Sequence, residues 1–275
     1  MTVKMEASTG GIPHNTLLIG GLITAVVCIY LTYLNQMLGV GYFAFFGGIA
    51  AVAALWWGSD TIKHLCSYGL GTGVPSAGML AFGTGAIAMI VATKFGMATP
   101  VVAVIIAAII GAIIGYIAND IINMNIPVMV ISLTELAIVG SLTMLGLTAM
   151  TSGSFLFVNL IGNGANVTGT IIGGCVLAVV FMLGAIALQH PFNACLGPNE
   201  SQDRTLMLAL ECGFLSMVAI SVISYAYLDV FAATVSLIVS LIGFGYTLKQ
   251  YFKLSERDAF MWLDAKPIRE VGGEK

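Results

Sequence analysis

The chain has 275 residues, 59% of them hydrophobic and only 8% charged, with a formal net charge of -3 and a mean hydropathy of +1.00. Soluble domains carry roughly 25% charged residues, so water is not the main solvent here, and without a basic block nucleic acid is excluded as a partner. The five cysteines, Cys28, Cys66, Cys175, Cys195 and Cys212, form no CxxC pair, which argues against a disulfide framework or a zinc site.

The first apolar run opens a series of similar runs instead of standing alone before a cleavage site, so no cleaved leader is expected. Helices are predicted at 17–34, 42–57, 77–96, 99–118, 126–149, 167–189, 205–224 and 229–248. Each is close to the roughly 20 residues that cross about 30 Å of hydrocarbon. The weakest divisions are Gly96 to Pro100 and Tyr225 to Asp229, so the count is about eight, with seven as the alternative. Backbone amides in a bilayer must be paired internally, and the period-two alternation of a barrel is absent. The fold class is therefore all-α, a polytopic integral membrane helix bundle. It reads as a single transmembrane domain over 1–275, with 1–15 and 250–275 as cytoplasmic tails.

Eight spans with both termini inside place Lys4, Lys63, Arg204, Lys249, Lys253 and Arg257 at the cytoplasmic face and Lys94 alone at the other, as the positive-inside rule requires. Gly111-Ala-Ile-Ile-Gly115 and Gly169-Thr-Ile-Ile-Gly173 predict close helix packing, within the chain or with partners.

The segment Tyr68-Gly-Leu-Gly-Thr-Gly-Val-Pro-Ser-Ala-Gly78 has a nucleotide-loop look, but no strand precedes it and no acidic residue follows at the required distance. It reads as a connector or a re-entrant turn at a membrane boundary, with Gly71, Gly73 and Pro75 available to a partner or to a cation. Asp60 and Asp120 sit where predicted helices end and read as solvated. Glu135, in Ser132-Leu-Thr-Glu-Leu-Ala, is placed near the bilayer midplane, and Glu211 about six residues into the seventh helix. An intramembrane acid faces the bundle interior or a wet cavity, so ion handling stands beside a protonated, hydrogen-bonded glutamate as the reading of each.

The stretch from His190 to Thr205 is the most polar internal segment and is assigned to the cytoplasmic face as a loop. His190, Asn193, Glu200, Asp203 and Arg204 are candidates for partner contact or an ion entrance, the alternative being a solvated loop with Thr205 capping the next helix. His64, Cys66, His190 and Cys195 share that face without zinc-site spacing. Asn166-Val-Thr168 matches a glycosylation sequon, with helix capping the preferred reading.

Three stretches carry a family resemblance: Ser67-Tyr-Gly-Leu-Gly-Thr-Gly-Val-Pro-Ser76; Met124-Asn-Ile-Pro-Val-Met129 with Thr134-Glu-Leu-Ala; and His190-Pro-Phe-Asn-Ala-Cys-Leu-Gly-Pro198 through Gln202-Asp-Arg-Thr205 to Gly213. The chain resembles the C subunit of tetrahydromethanopterin S-methyltransferase over nearly its whole length. The resemblance implies a methanogen membrane complex that moves a methyl group from methyltetrahydromethanopterin to coenzyme M through a corrinoid on another polypeptide, coupled to sodium extrusion. It implies the D and E subunits as membrane partners, the A subunit as the corrinoid-bearing partner, and Na+ as the transported ion. No cofactor and no catalytic residue is expected on this chain, which would be a non-corrinoid membrane component in the cell membrane. Sodium favours oxygen ligands, so Glu135 with Ser132 and Thr134 is one candidate group and Glu211 another. The alternatives are an autonomous sodium-coupled transporter and a purely structural membrane component.

Overall fold

The structure, a computed structural model, describes residues 11–68, 73–156, 167–194 and 201–264. Among the described residues the only regular structure is helical, in nine α-helices: α1 His14–Leu31, the short α2 Leu34–Leu38, α3 Phe45–Cys66, α4 Gly73–Ala92, α5 Thr99–Tyr116, α6 Met129–Ser152, α7 Val167–Ala194, α8 Gln202–Ser224 and α9 Val230–Asp264.

Among the described residues, seven continuous helical stretches are long and apolar enough to cross a membrane. One of them, Val74–Ile121, has 48 residues, about 72 Å at 1.5 Å per residue, more than twice the thickness of the hydrocarbon. It turns back on itself. Gly96 adopts φ +54°, ψ -122° inside the turn Thr93–Ala98, a left-handed conformation that favours glycine. Helices α4 and α5 then pack against each other as a hairpin. With that turn the described helices form eight membrane-length segments, α2 being a short piece at the end of α1.

The starts of α1, α4, α6 and α8 share one face of the bundle with the ends of α3, α5, α7 and α9. At that face the side chain of His14 meets Asp60, and Gln202 meets both Asp60 and Ile12. The opposite face is tied by Asn35, whose amide donates to Gly153 O at 2.5 Å and whose carbonyl accepts from Phe43 N at 2.9 Å. Lys63 and Arg204 lie at the His14 face with the basic end of α9, and Lys94 lies at the Asn35 face. This is the segregation the charge pattern predicts.

Helix α6 is the hub. It packs against α3, α4, α5, α7 and α8, and from Ser132 to Thr151 nearly every residue is buried. Glycine makes these contacts close. A Cβ on Gly140 would run into the Phe82 carbonyl and one on Gly85 into the Ala137 carbonyl, so α4 and α6 touch backbone to backbone. Gly111 and Gly115 do the same for α5 against the Val130–Thr134 stretch of α6, which locates that predicted motif inside the chain.

Several helix ends differ from the sequence reading. Helix α3 continues nine residues beyond 57, through Asp60, Lys63 and His64, because partners on α1 and α8 absorb those polar groups. Helix α6 starts at Met129, after Asn123 and Asn125 with positive φ and the prolyl residue Pro127. Helix α7 runs to Ala194 with Pro191 inside it, and α8 starts at Gln202, so both ends of the polar 190–205 segment are helical. Residues 195–200 lie outside the described residues. The N-cap position of α8 is Ser201, and Thr205 is buried in the first turn, where its hydroxyl is 3.2 Å from Ser201 O. Helix α9 has 35 residues, about 52 Å, and so projects well past a bilayer. Part of the predicted 250–275 tail is thus helix.

Candidate functional site

Four side chains on α3, Trp57, Asp60, Thr61 and His64, recur at the i, i+3, i+4, i+7 spacing that places them on one helix stripe. That stripe faces the start of α6, the first residue of α1 and the start of α8. Glu135, on α6, is 5% exposed and accepts from Trp57 Nε1 at 3.0 Å, while Thr61 Oγ1 lies 2.7 Å from the same oxygen, Oε2. His14 Nε2 is 3.2 Å from Glu135 Oε1 and 3.1 Å from Oε2. The other ring nitrogen, Nδ1, is 2.8 Å from Asp60 Oδ2. Asp60 is 4% exposed, and its second oxygen accepts from Gln202 Nε2 at 2.6 Å. The His14 ring stacks on His64 with centroids 5.3 Å apart, and His64 in turn meets Tyr68 edge-on.

One network therefore ties α1, α3, α6 and α8 together beneath one face of the bundle. Two carboxylates with low exposure are each held by at least two partners, as buried charge requires. The sequence reading of Asp60 as a solvated helix end is corrected: it is interior, because His14 and Gln202 supply what water would.

Glu135 lies six residues past Met129, about 9 Å along the axis, in the outer quarter of α6. That is shallower than the mid-membrane position expected from a helix starting at 126. Ser132 and Thr134 are not among its described hydrogen-bond partners: Ser132 is buried, and the Thr134 hydroxyl donates to Val130 O at 2.7 Å. Thr134 is one position from Glu135 and diverges from it by about 100°, whereas Ser132, three positions back, shares its side of α6 without a described hydrogen bond to it, so the expected ligand group does not assemble within α6 alone.

Glu211 is different. It lies nine residues into α8, deeper than expected because the helix starts at Gln202. Its Oε2 is buried without a hydrogen-bond partner among the described residues, as are Trp56 Nε1 and Ser59 Oγ on α3. Glu135 is thus an occupied carboxylate, and Glu211 has an oxygen to spare.

A family profile described as the C subunit of tetrahydromethanopterin S-methyltransferase matches residues 2–267. The chain belongs to that family. The C subunit from Methanosarcina mazei is 40% identical over 252 residues, covering 91% of this chain and 90% of its own. Its counterpart from Methanocaldococcus jannaschii is 35% identical over 254 residues, 90% of each chain. That from Methanothermobacter thermautotrophicus is 36% identical over 223 residues, covering 78% and 79%.

In this family member, most of the remaining predicted residues scatter. His190 and Asn193 are exposed on the last turn of α7, with Asn193 3.5 Å from Gln189 and His190 within electrostatic range of Glu211. Asp203 is exposed in the first turn of α8, where a carboxylate suits the helix dipole. Arg204 reaches Asp258 of α9 at 3.8 Å. Gly73 and Pro75 belong to the first turn of α4, a position proline tolerates. Gly71 and Glu200 lie outside the described residues, as do Cys195 and Asn166.

The sequence reading missed His14, Trp57, Thr61 and Gln202. The signal was present for α3, where a Trp-Asp-Thr-His stripe interrupts an otherwise apolar helix at helical spacing. It was absent for His14, which precedes the first apolar run and looked like tail.

Proposed function

We propose that this chain is the membrane-embedded, non-corrinoid C subunit of a complex that transfers a methyl group from methyltetrahydromethanopterin to coenzyme M, coupled to sodium movement. In this reading the methyl chemistry and the corrinoid belong to partners, with the A subunit carrying the corrinoid and the D and E subunits completing the membrane part. The chain lies in the cell membrane with the His14 face, which bears most of the basic residues, toward the cytoplasm. The observation that carries the reading is family membership over nearly the whole chain, joined to a helical bundle in which, among the described residues, seven stretches are long and apolar enough to cross a membrane.

Within that role we assign cation handling to Glu211 in preference to Glu135. A hard monovalent cation needs oxygen lone pairs that nothing else occupies, and Oε2 of Glu211 has no partner among the described residues. Both oxygens of Glu135 face donors on neighbouring helices. Glu135, Asp60 and their partners then serve assembly by fastening four helices.

The test is sodium uptake by proteoliposomes holding the intact complex during methyl transfer, with a corrinoid spectrum confirming that partners co-purify. We expect Glu211→Gln to assemble normally and to lose most of the coupled uptake. Full uptake with ordinary sodium dependence in that variant would remove Glu211 from the ion path and leave the chain an assembly role.

A further inference from the structure

His14, Asp60 and Glu135 share a proton that the three groups in their simplest forms do not possess. A neutral imidazole has one N–H and one bare nitrogen, and an ionised carboxylate has only acceptors. Yet Nδ1 lies 2.8 Å from an Asp60 oxygen while Nε2 lies 3.1 Å from a Glu135 oxygen. Each contact needs a hydrogen between its two heavy atoms, because two facing lone pairs repel. The imidazole supplies one of the two. The second is an extra proton, resident on the ring or on one of the acids.

The same three side chains hold the amino-terminal segment in place. Gln202 Nε2 bridges Asp60 Oδ1 at 2.6 Å and the Ile12 carbonyl at 3.2 Å. Gly11 lies so close to the Gln202 side chain that a Cβ there would overlap Oε1. The ring of His14 is clasped between α3 and α6. Residues 11, 12 and 14 are thus fastened to three other helices through one polar cluster.

We propose that the His14–Asp60–Glu135 triad is an exchangeable proton site whose occupancy latches the start of α1 onto α3, α6 and α8. Loss of the proton turns one of the two His14 contacts from attraction to repulsion, and the first turn of α1 is released. The neighbouring charges do not replace it. On α3, His64 offers a stacked ring face, and the Lys63 Nζ lies 3.4 Å from the Thr205 hydroxyl. On α8, Asp203 is exposed and Arg204 reaches Asp258. Beyond α5, Asp120 is exposed, 3.5 Å from Asn119. The latch is independent of the sodium assignment, since it uses different residues.

Amide hydrogen exchange of the purified membrane assembly tests it, following peptides from residues 11–22 at about pH 7 and about pH 10, corrected for intrinsic exchange. In the wild type, protection of these peptides is expected to fall about tenfold at the higher pH, the loss of one charge-assisted hydrogen bond, while peptides of α5 keep theirs. Asp60→Asn is the deciding variant. Its amide donates to the bare nitrogen of a neutral imidazole and its carbonyl still accepts from Gln202, so the latch closes without the extra proton. Protection should then be high at both pH values. In His14→Ala it should be low at both. Wild-type protection that ignores pH, or a pH step in Asp60→Asn equal to that of wild type, overturns the proposal, and the comparison of those two proteins decides it even if His14→Ala fails to accumulate.

Discussion

Replacing Trp57 by Phe removes one donor from the Glu135 carboxylate and some core packing, since Trp57 is fully buried whereas its neighbour Trp56 is half-buried. Both indoles sit on α3, one residue apart, and in both a Phe substitution discards the pyrrole ring. They differ in burial, which adds to the cost at Trp57, and in the N–H. That of Trp57 donates to Glu135 Oε2 at 3.0 Å, whereas that of Trp56 is buried with no partner among the described residues. A hydrogen bond to a charged group contributes about 1.5–3 kcal/mol, and deleting an unsatisfied buried donor relieves a cost of similar size. Trp57→Phe should therefore be the more destabilising of the two by at least about 1.5–3 kcal/mol. At about 2–4 °C per kcal/mol this separates the two Tm values by roughly 3–12 °C. Thermal unfolding of the purified membrane protein, read by alkylation of the buried Cys28 and Cys66, gives the comparison directly. Equal Tm shifts in the two variants would refute the claim that the Glu135 network, and not bulk packing, holds α3 to α6.

Two further substitutions probe the packing at other levels. Gly140→Ala drives a Cβ into the Phe82 backbone and should cost at least about 1–3 kcal/mol by forcing α4 from α6, whereas Gly20→Ala, with open space around it, should be neutral; membrane accumulation and Tm distinguish them. Asn35→Ala removes the clamp at the opposite face and leaves the Gly153 carbonyl and Phe43 N–H without it, an expected loss of about 2–4 kcal/mol for two groups, measurable as a lower Tm with the His14 face unaffected by hydrogen exchange.

The helix count and fold class were legible because bilayer thickness imposes a length that apolar runs must meet, and the turn at Gly96 was visible as the Gly-to-Pro break. The partition of Lys63 and Arg204 to one face of the bundle and Lys94 to the other was equally readable, since charge at helix ends obeys a bulk rule. Asp60 was not legible. An aspartate near the end of an apolar run looks the same whether water or a histidine from 46 residues earlier solvates it. The depth of Glu135 depended on a helix start that Pro127 and two positive-φ asparagines shift by three residues. Its partners lie 74, 78 and 121 positions away, and periodicity along one helix carries no information on such pairings. What the sequence did hold, unread, was the stripe on α3 from Trp57 to His64.

Chain growth delivers the helices in order, and the Glu135 network spans that order. His14, Trp57, Asp60 and Thr61 enter the bilayer before α6, so the carboxylate meets donors already in place when it arrives. Gln202 comes last, on α8, after α6 and α7 are committed. Its bonds to Asp60 and Ile12 are the final closure: a chain truncated before residue 202 would hold His14 between Asp60 and Glu135 yet lack the bridge that ties Ile12 to Asp60.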